Sequence, residues 1–551
     1  MPRREKTSYA KAKALAGLFS LGVMAFAVAA GAQAPTTEVS VTIEAGRNGP
    51  TISRDIFGQF AEQLGNGIYG GVWVGKDSPI PNVRGIRSDV VQALRALKVP
   101  NVRWPGGCFA DQYHWRNGIG PLDQRPARAN INWGNPVEPN MFGTHEFMDF
   151  IDQIGSEAYL TVNVGSGTVQ EAADWLEYMT APLPMALAKE REANGHPTPF
   201  RVKYLGIGNE AWGCGGDMSA QTYVDRMKTF SLFVRNLDPA QSGVNRFVPS
   251  AKGMKRIAVG PADTDIGSSD TDYTEAVMKA WQQSSPRSRN IEGLSLHHYT
   301  GGDLGTMRDP AVGFGEKEYA TFVRNTYVMD NLIARHSAIM DKYDPEKKVA
   351  LAVDEWGVWL KPMPGTPIFY IQQQNSLRDA ILASLNLNIF ARHAERVRMA
   401  NIAQMVNVLQ SMILTDNQKI LLTPTYHVFR MYVPFQDATL LPITASAGQY
   451  KFSESTLPRI DTVAAKAKDG TIWLAITNID PKQSANVAAN LVGTPIKSAV
   501  GEILTAANVS AVNSFEAPSA VVPRGFRAKA SGGKLVLDLP PASVIVVRLE
   551  M

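Results

Sequence analysis

Eight short β-type runs, each followed by a stretch with the apolar period of a helix, occupy most of the chain between residues 51 and 434 and leave few ways to fold it. The runs fall at 56–62, 101–106, 158–165, 202–210, 257–261, 293–299, 349–356 and 399–407. The helical patterns between and after them fall at 87–98, 144–155, 169–180, 220–237, 272–283, 318–343, 376–393 and 425–433. Strand-length apolar runs alternating with longer 3.6-residue periods mark βα units and a parallel sheet. Eight such units predict an α/β chain whose catalytic-size domain, 51–434, is a closed (β/α)8 TIM barrel, with its site at the carboxyl ends of the strands. Loop-rich insertions at 107–140 and 263–271 follow β runs, so both belong to that mouth.

From 435 to 551 the pattern changes. TIWLAITNID, ANVAANLVG and KLVLDLPPASVIVVRLE are alternating strands broken by Gly, Pro, Asn and Asp. They predict a C-terminal all-β sandwich of jelly-roll type. VSVTIEAG, within 33–50, is one more such strand lying before the barrel and is expected to pair into that sandwich.

The first 32 residues have a different character. Arg3, Arg4, Lys6, Lys11 and Lys13 precede an apolar run from Leu15 to Ala30, and Ala30-Gly31-Ala32 offers a small-x-small cleavage site. This is the layout of a secretory signal peptide, so an exported chain, periplasmic or secreted, is expected. No other stretch is long and apolar enough for a membrane helix. Those five cations and Glu5 account for the whole net charge of +4, so the remainder gives no reason to expect nucleic acid as a partner. Cys108 and Cys214 are the only cysteines and the eight histidines are scattered. Without HExxH or any metal-site spacing, neither a metal nor a cofactor is expected; whether the two cysteines bond is open at this stage.

The fourth run ends in GIGNEAWGCGG and the seventh in AVDEWGVW, which places Glu210 and Glu355 at the carboxyl ends of two apolar strands. A carboxylate there is costly to desolvate and needs a partner or a function. Strands four and seven face each other across an eight-stranded barrel. Two carboxyl groups in that relation meet the requirement of glycoside hydrolysis: one protonated to assist the leaving oxygen, the other charged to attack or to activate water.

With these come FGQFAEQLGNGIYGG, NVRWPGGCFADQYHWRNGIGP, FGTHEFMDFI, NVGSGTVQEAADWLEYM, SLHHYT and the TPTYHVFRMY segment. In these blocks, taken in order, the chain closely resembles glycoside hydrolase family 51, the α-L-arabinofuranosidases, over nearly its whole length after the leader. The resemblance implies an exo-acting, retaining hydrolase that releases terminal α-L-arabinofuranosyl groups from carbohydrates by double displacement. It implies Glu210 as acid/base and Glu355 as nucleophile. Asn209 would hold the sugar 2-hydroxyl, Tyr299 would fix the Glu355 carboxylate, and His297 would lie beside the nucleophile. Glu62 would bind furanose hydroxyls, with Arg103, Cys108, Asn163 and Gln404 around the sugar and Trp133 as an apolar wall. Trp356 and Trp359 read as packing aromatics. The family also implies a homo-oligomer. The rival readings are another retaining glycosidase of the same clan, an endoglucanase or xylosidase, and a carbohydrate-binding barrel without catalysis.

Overall fold

All eight β runs close one parallel barrel. Its strands, in a computed structural model that describes residues 37–242, 253–261, 270–285, 291–531 and 534–551, are Gly58–Phe60, Asn101–Trp104, Glu157–Val162, Val202–Ile207, Lys255–Ala258, Gly293–Thr300, Ala350–Val358 and Val397–Ile402. The last strand returns to the first through Asn401 opposite Gly58 and Ile402 opposite Gln59. The barrel axis is a packed core: Tyr159, Tyr204, Ile257, Ala352 and Met399 form one buried cluster. Below it Asp55 accepts from Asn101 Nδ2 (3.0 Å) and the Tyr204 hydroxyl (2.6 Å), and pairs with Lys203.

Several helices begin at a residue whose side chain satisfies a free N–H group. Thr168 accepts from the Glu171 N–H and starts the helix Val169–Thr180, whose buried face repeats at Ala172, Trp175, Leu176 and Met179; this is the spacing of one helical face. Ser219 caps Ala220–Phe233 and Thr423 caps Pro424–Met431 in the same way.

One helical expectation is corrected. The pattern at 318–343 is two helices, Glu316–Thr326 and Val328–Tyr343. Thr326 Oγ1 donates back to the Phe322 carbonyl (2.9 Å), a contact that bends helices, and the Tyr327 hydroxyl reaches toward Asp461 (3.5 Å). No Gly or Pro marks the break, so the periodicity runs through it. The insertion expected at 263–271 lies almost wholly outside the described residues, as does the leader expected at 1–32.

The C-terminal region is β-rich, with a six-stranded sheet and a four-stranded sheet. Strand Thr37–Ile43 lies in the smaller sheet, antiparallel to Ile443–Ser446 and parallel to Ala485–Leu491. Val39, Val41 and Ile43 alternate into a core shared with Leu474, Ile476, Val487, Leu537 and Val547, the inward face of period-two strands. The sandwich is bolted to the barrel by helix Leu377–Arg392: Ser384 and Thr477 hydroxyls meet at 2.8 Å, and Asn388 Nδ2 donates to Asp461 (2.7 Å). Among the described residues no helix is long and apolar enough to cross a membrane.

Candidate active site

The carboxyl ends of strands two, four, six and seven converge on a cluster of charged side chains. Glu355 lies inside the seventh strand, Ala350–Val358, opposite His297 of the sixth. Between Ala352 and Glu355 that strand carries one residue more than its neighbour, which advances only from Ser295 to His297. The bulge re-aims side chains, and the consecutive acids Asp354 and Glu355 both reach the barrel interior: Arg103 lies 3.5 Å from Asp354 and 2.6 Å from Glu355.

Glu210 stands just beyond the fourth strand, at a φ of 37°. A left-handed conformation is unfavourable for a residue with a Cβ and is held only where the surroundings impose it. Here the Glu210 carbonyl accepts from Gly213 (2.7 Å) and Gly215 (3.1 Å). The preceding N–H, of Asn209, is fixed by Asp111 Oδ2 (2.9 Å).

His297 joins the two glutamates. Its Nδ1 is 2.9 Å from Glu210 Oε1 and 3.6 Å from Glu355 Oε2, and its Nε2 is 3.2 Å from Asp354. An oxygen of Glu210, an oxygen of Glu355 and a ring nitrogen of His297 all lie within 4.8 Å of one another. Burial pushes the imidazole down, but Glu355, Asp354 and Glu210 around it outweigh burial and raise it to about 10. It is an imidazolium at neutral pH. Asp354 is held below the ordinary carboxylate range because Arg103, His297 and Tyr159 outweigh its burial; the Tyr159 hydroxyl donates to it at 2.6 Å.

Glu355 is gripped on both oxygens. Arg103 Nη1 donates to Oε1 (2.6 Å) and the Tyr299 hydroxyl to Oε2 (2.8 Å). Arg103 Nη2 donates to Asn209 Oδ1 (2.6 Å), so one guanidinium spans strands four and seven. Bonds on both oxygens fix the orientation of the carboxylate. Glu62 sits deeper: burial, opposed by the Phe109 N–H and reinforced by Glu355, lifts it to about 7. It accepts from the N–H groups of Gly107 (3.1 Å) and Phe109 (2.9 Å) and from Gln404 Nε2 (3.2 Å).

Gly106-Gly107 makes this approach of backbone to carboxylates feasible. A Cβ on Gly106 would stand 2.4 Å from Glu62 Cγ, and one on Gly107 would stand 2.8 Å from Glu355 Oε1.

Of the expected site residues, the fold gathers Glu62, Arg103, Asn209, Glu210, His297, Tyr299, Glu355 and Gln404. Cys108 is at the edge, joined to Cys214 in a disulfide with Cα atoms 5.4 Å apart. Trp133 is partly buried in an apolar cluster with Phe60, Leu64, Tyr299 and Trp359. Asn163 is a correction: it accepts from Ser166 (2.9 Å) and Gly167 (2.8 Å) and donates to Tyr113 O and Ser166 Oγ. It is spent on its own strand-to-helix turn. Trp356 packs against Phe390 and Phe429, whereas Trp359 meets Tyr299 edge-on at 5.2 Å beside the site.

Three residues were not foreseen from the sequence: Asp354, Tyr159 and Asp111. Asp111 accepts three backbone N–H groups, from Val164 and Gly165 (2.7 Å each) and Asn209. Burial, opposed by these bonds, raises it to about 7. The DE doublet of VDEW is the one sequence signal for Asp354, and strict strand alternation sends it to the wrong face.

Comparison with known proteins agrees with this architecture. Residues 93–284 match the family model described as alpha-L-arabinofuranosidase 1 domain, and residues 354–543 match alpha-L-arabinofuranosidase C-terminal domain. The chain is 42% identical, over 97% of its length and 99% of the relative's, to an intracellular exo-alpha-L-arabinofuranosidase of Bacteroides ovatus. It is 28% identical to alpha-L-arabinofuranosidase C of Emericella nidulans, over 80% of this chain and 84% of that one. Among solved structures, the GH51 arabinofuranosidase of Xanthomonas axonopodis pv. citri superposes with a TM-score of 0.87 at 48% identity, covering 93% of this chain and all of that one. The arabinose complex of the Thermotoga maritima enzyme superposes with a TM-score of 0.79 at 30% identity and the same coverage.

The expectation of export is thereby corrected. The Bacteroides ovatus relative, matched almost end to end, is named as intracellular, and a basic-then-apolar N-terminus is a local pattern that does not outweigh it. The two family models, the near-complete relative and the superposed barrels show that this chain belongs to glycoside hydrolase family 51, the α-L-arabinofuranosidases.

Proposed function

We propose that the protein removes terminal α-L-arabinofuranosyl groups from carbohydrates with retention of anomeric configuration, Glu355 acting as nucleophile and Glu210 as acid/base. The observation that carries this reading is the pair of carboxylates whose oxygens approach within 4.8 Å from opposite strands. Retaining glycosidases hold their carboxyl groups about 5–5.5 Å apart, whereas inverting ones leave room for a water.

The contacts support the division of roles. Both oxygens of Glu355 are held, by Arg103 and Tyr299, which aims it as the nucleophile, whereas His297 holds Glu210 through Oε1 and leaves its second oxygen for proton exchange. That oxygen, Oε2, is the one that hands its proton to the departing oxygen. Glu355, ionised and aimed by Arg103 and Tyr299, attacks the anomeric carbon. Glu210, now a carboxylate, takes a proton from the water that releases arabinose. Asn209, oriented by Arg103, supplies the bond to the 2-hydroxyl that strengthens in the transition state. Glu62 and Gln404 bind the remaining hydroxyls, and Trp133 and Trp359 wall the ring. A homo-oligomer of such units, acting on arabinofuranosyl-containing oligo- or polysaccharides, is part of the same proposal.

Two variants test the roles separately. Glu355→Ala should abolish hydrolysis of an aryl α-L-arabinofuranoside; near-normal turnover would refute the nucleophile. Glu210→Ala should keep a rapid first step only when the leaving group is activated, then stall as glycosyl-enzyme. Equal losses on activated and unactivated substrates would refute the acid/base.

A further inference from the structure

The disulfide Cys108–Cys214 abuts the carboxyl group given the acid/base role, and the mechanism makes no use of it. Cys214 Sγ lies 3.6 Å from Glu210 Oε2, the oxygen left free by His297. Cys214 is exposed and Cys108 half-buried, and both sulfurs and one Glu210 oxygen lie within 4.8 Å of one another. We infer that the reduced form of this pair, together with Glu210, is a binding site for a borderline-to-soft divalent cation of the zinc and cadmium class, and that occupancy silences the enzyme.

The geometry fits without large movement. Zinc–sulfur bonds of about 2.3 Å and zinc–carboxylate bonds of about 2.1 Å set two donors on one tetrahedral ion roughly 3.6 Å apart, and two thiolates roughly 3.8 Å apart. The Cys214–Glu210 spacing already has the first value. The sulfurs need only part from bonding distance, on backbones whose Cα atoms are 5.4 Å apart. Both backbones are otherwise fixed: Asp111 ties the loop after Cys108 to Asn209 and to Gly165, and Gly215 N–H donates to Glu210 O. Reduction therefore leaves three donors facing one point, with a fourth position open to water. Thiolates select such ions over magnesium or calcium.

The chemistry balances with a dithiol as reductant. A thiolate of the dithiol attacks the exposed Cys214 sulfur, the second thiol closes on the first, and the dithiol leaves as its cyclic disulfide. Two electrons and two protons pass to the protein, giving two thiols. Binding the cation releases both thiol protons and any proton on Glu210 Oε2, and that oxygen can then neither give nor take one. The loss of activity rests on the acid/base reading of Glu210; the binding itself does not.

The test is cadmium titration of the full chain, reduced with dithiothreitol and freed of it under argon, beside the untreated oxidised chain. The reduced protein should take up one ion per chain with a thiolate-to-cadmium charge-transfer band, and hydrolysis should fall at least roughly tenfold; a chelator should restore it. The oxidised protein should show neither effect. Cys214→Ser should lose the band. Glu210→Gln should keep the band but shift its midpoint roughly tenfold or more to higher cadmium, a readout independent of catalysis and one that distinguishes the folded site from thiols in unfolded chain. Absence of the band in reduced protein, or an unshifted midpoint in Glu210→Gln, would overturn the site. Equal inhibition of both redox forms would also overturn it, placing the ion on His297, Glu210 and Glu355 instead. Band and midpoint shift without inhibition would leave the cation site standing and refute the acid/base role of Glu210.

Discussion

Tyr299 and His297 differ in what their removal should reveal. Tyr299 makes one bond to a carboxylate oxygen, and a hydrogen bond to a charged group contributes about 1.5–3 kcal/mol. Tyr299→Phe should therefore lower kcat/KM roughly 10- to 100-fold in steady-state assays with an aryl arabinofuranoside, with little change in melting temperature. His297 belongs to stability as well. Its imidazole is raised from an ordinary 6.5 to about 10 by Glu355, Asp354 and Glu210, against burial. The folded chain thus holds a proton that the unfolded chain sheds between those values. The sign follows: the stabilisation is complete below about 6.5 and disappears as pH rises through about 10. Denaturant titrations at pH 7 and pH 10 should show wild type losing more stability over that interval than His297→Gln. An equal loss in both would remove His297 from the account.

The loop that follows the second strand works as a clasp on the third and fourth. Asp111 is its point of attachment, since its carboxylate serves Val164, Gly165 and Asn209 together. Asp111→Asn replaces one acceptor by an N–H donor facing another N–H, a cost of about 1–3 kcal/mol. The prediction is a lower melting temperature together with a lower kcat, because the turn bearing Glu210 is released; a full-activity variant with only lowered stability would confine Asp111 to the scaffold. Strand ends of this kind show what the sequence could disclose. Apolar runs closed by Glu210 and Glu355 were legible because a carboxylate at such a place is anomalous, and the eight-fold repetition made the barrel legible with them. Asp354 was not, since a bulge between Ala352 and Glu355 breaks the alternation that sequence reading assumes. Asp111 and Tyr159 act through contacts 98 and 195 residues away, for which no local pattern exists. Asn163 failed in the opposite sense: a polar residue at a strand end invites a ligand role, yet the turn it opens consumes all its bonds. The break at Tyr327 was hidden because no Gly or Pro marks it; the side-chain bond from Thr326 to Phe322 beside it leaves no local pattern.

Barrel and sandwich share a wall. Helix Leu377–Arg392 offers Ser384, Asn388 and Arg392 to the large sheet, where Asp461 accepts from Asn388 (2.7 Å) and Arg392 (3.0 Å). The Tyr432 hydroxyl closes the network on Asn388 Oδ1 (2.9 Å), and the Tyr319 hydroxyl donates to Ile479 O (2.6 Å). A buried polar network of this kind, within an apolar core continuous from barrel to sandwich, couples the two in unfolding. Scanning calorimetry should give one transition for both. Asp461→Ala should lower it by about 1–3 kcal/mol without changing KM, because the network lies away from the mouth. Two separated transitions in wild type would contradict the coupling.

The central claim is that Glu210 and Glu355 flank one furanose ring closely enough for the second to form a bond to it. The direct measurement is a proton NMR time course on an aryl α-L-arabinofuranoside. The first arabinose to appear should be the α anomer, with the β anomer rising only as the sugar mutarotates. The β anomer appearing first would mean that water, not Glu355, attacks the anomeric carbon, and would contradict that claim.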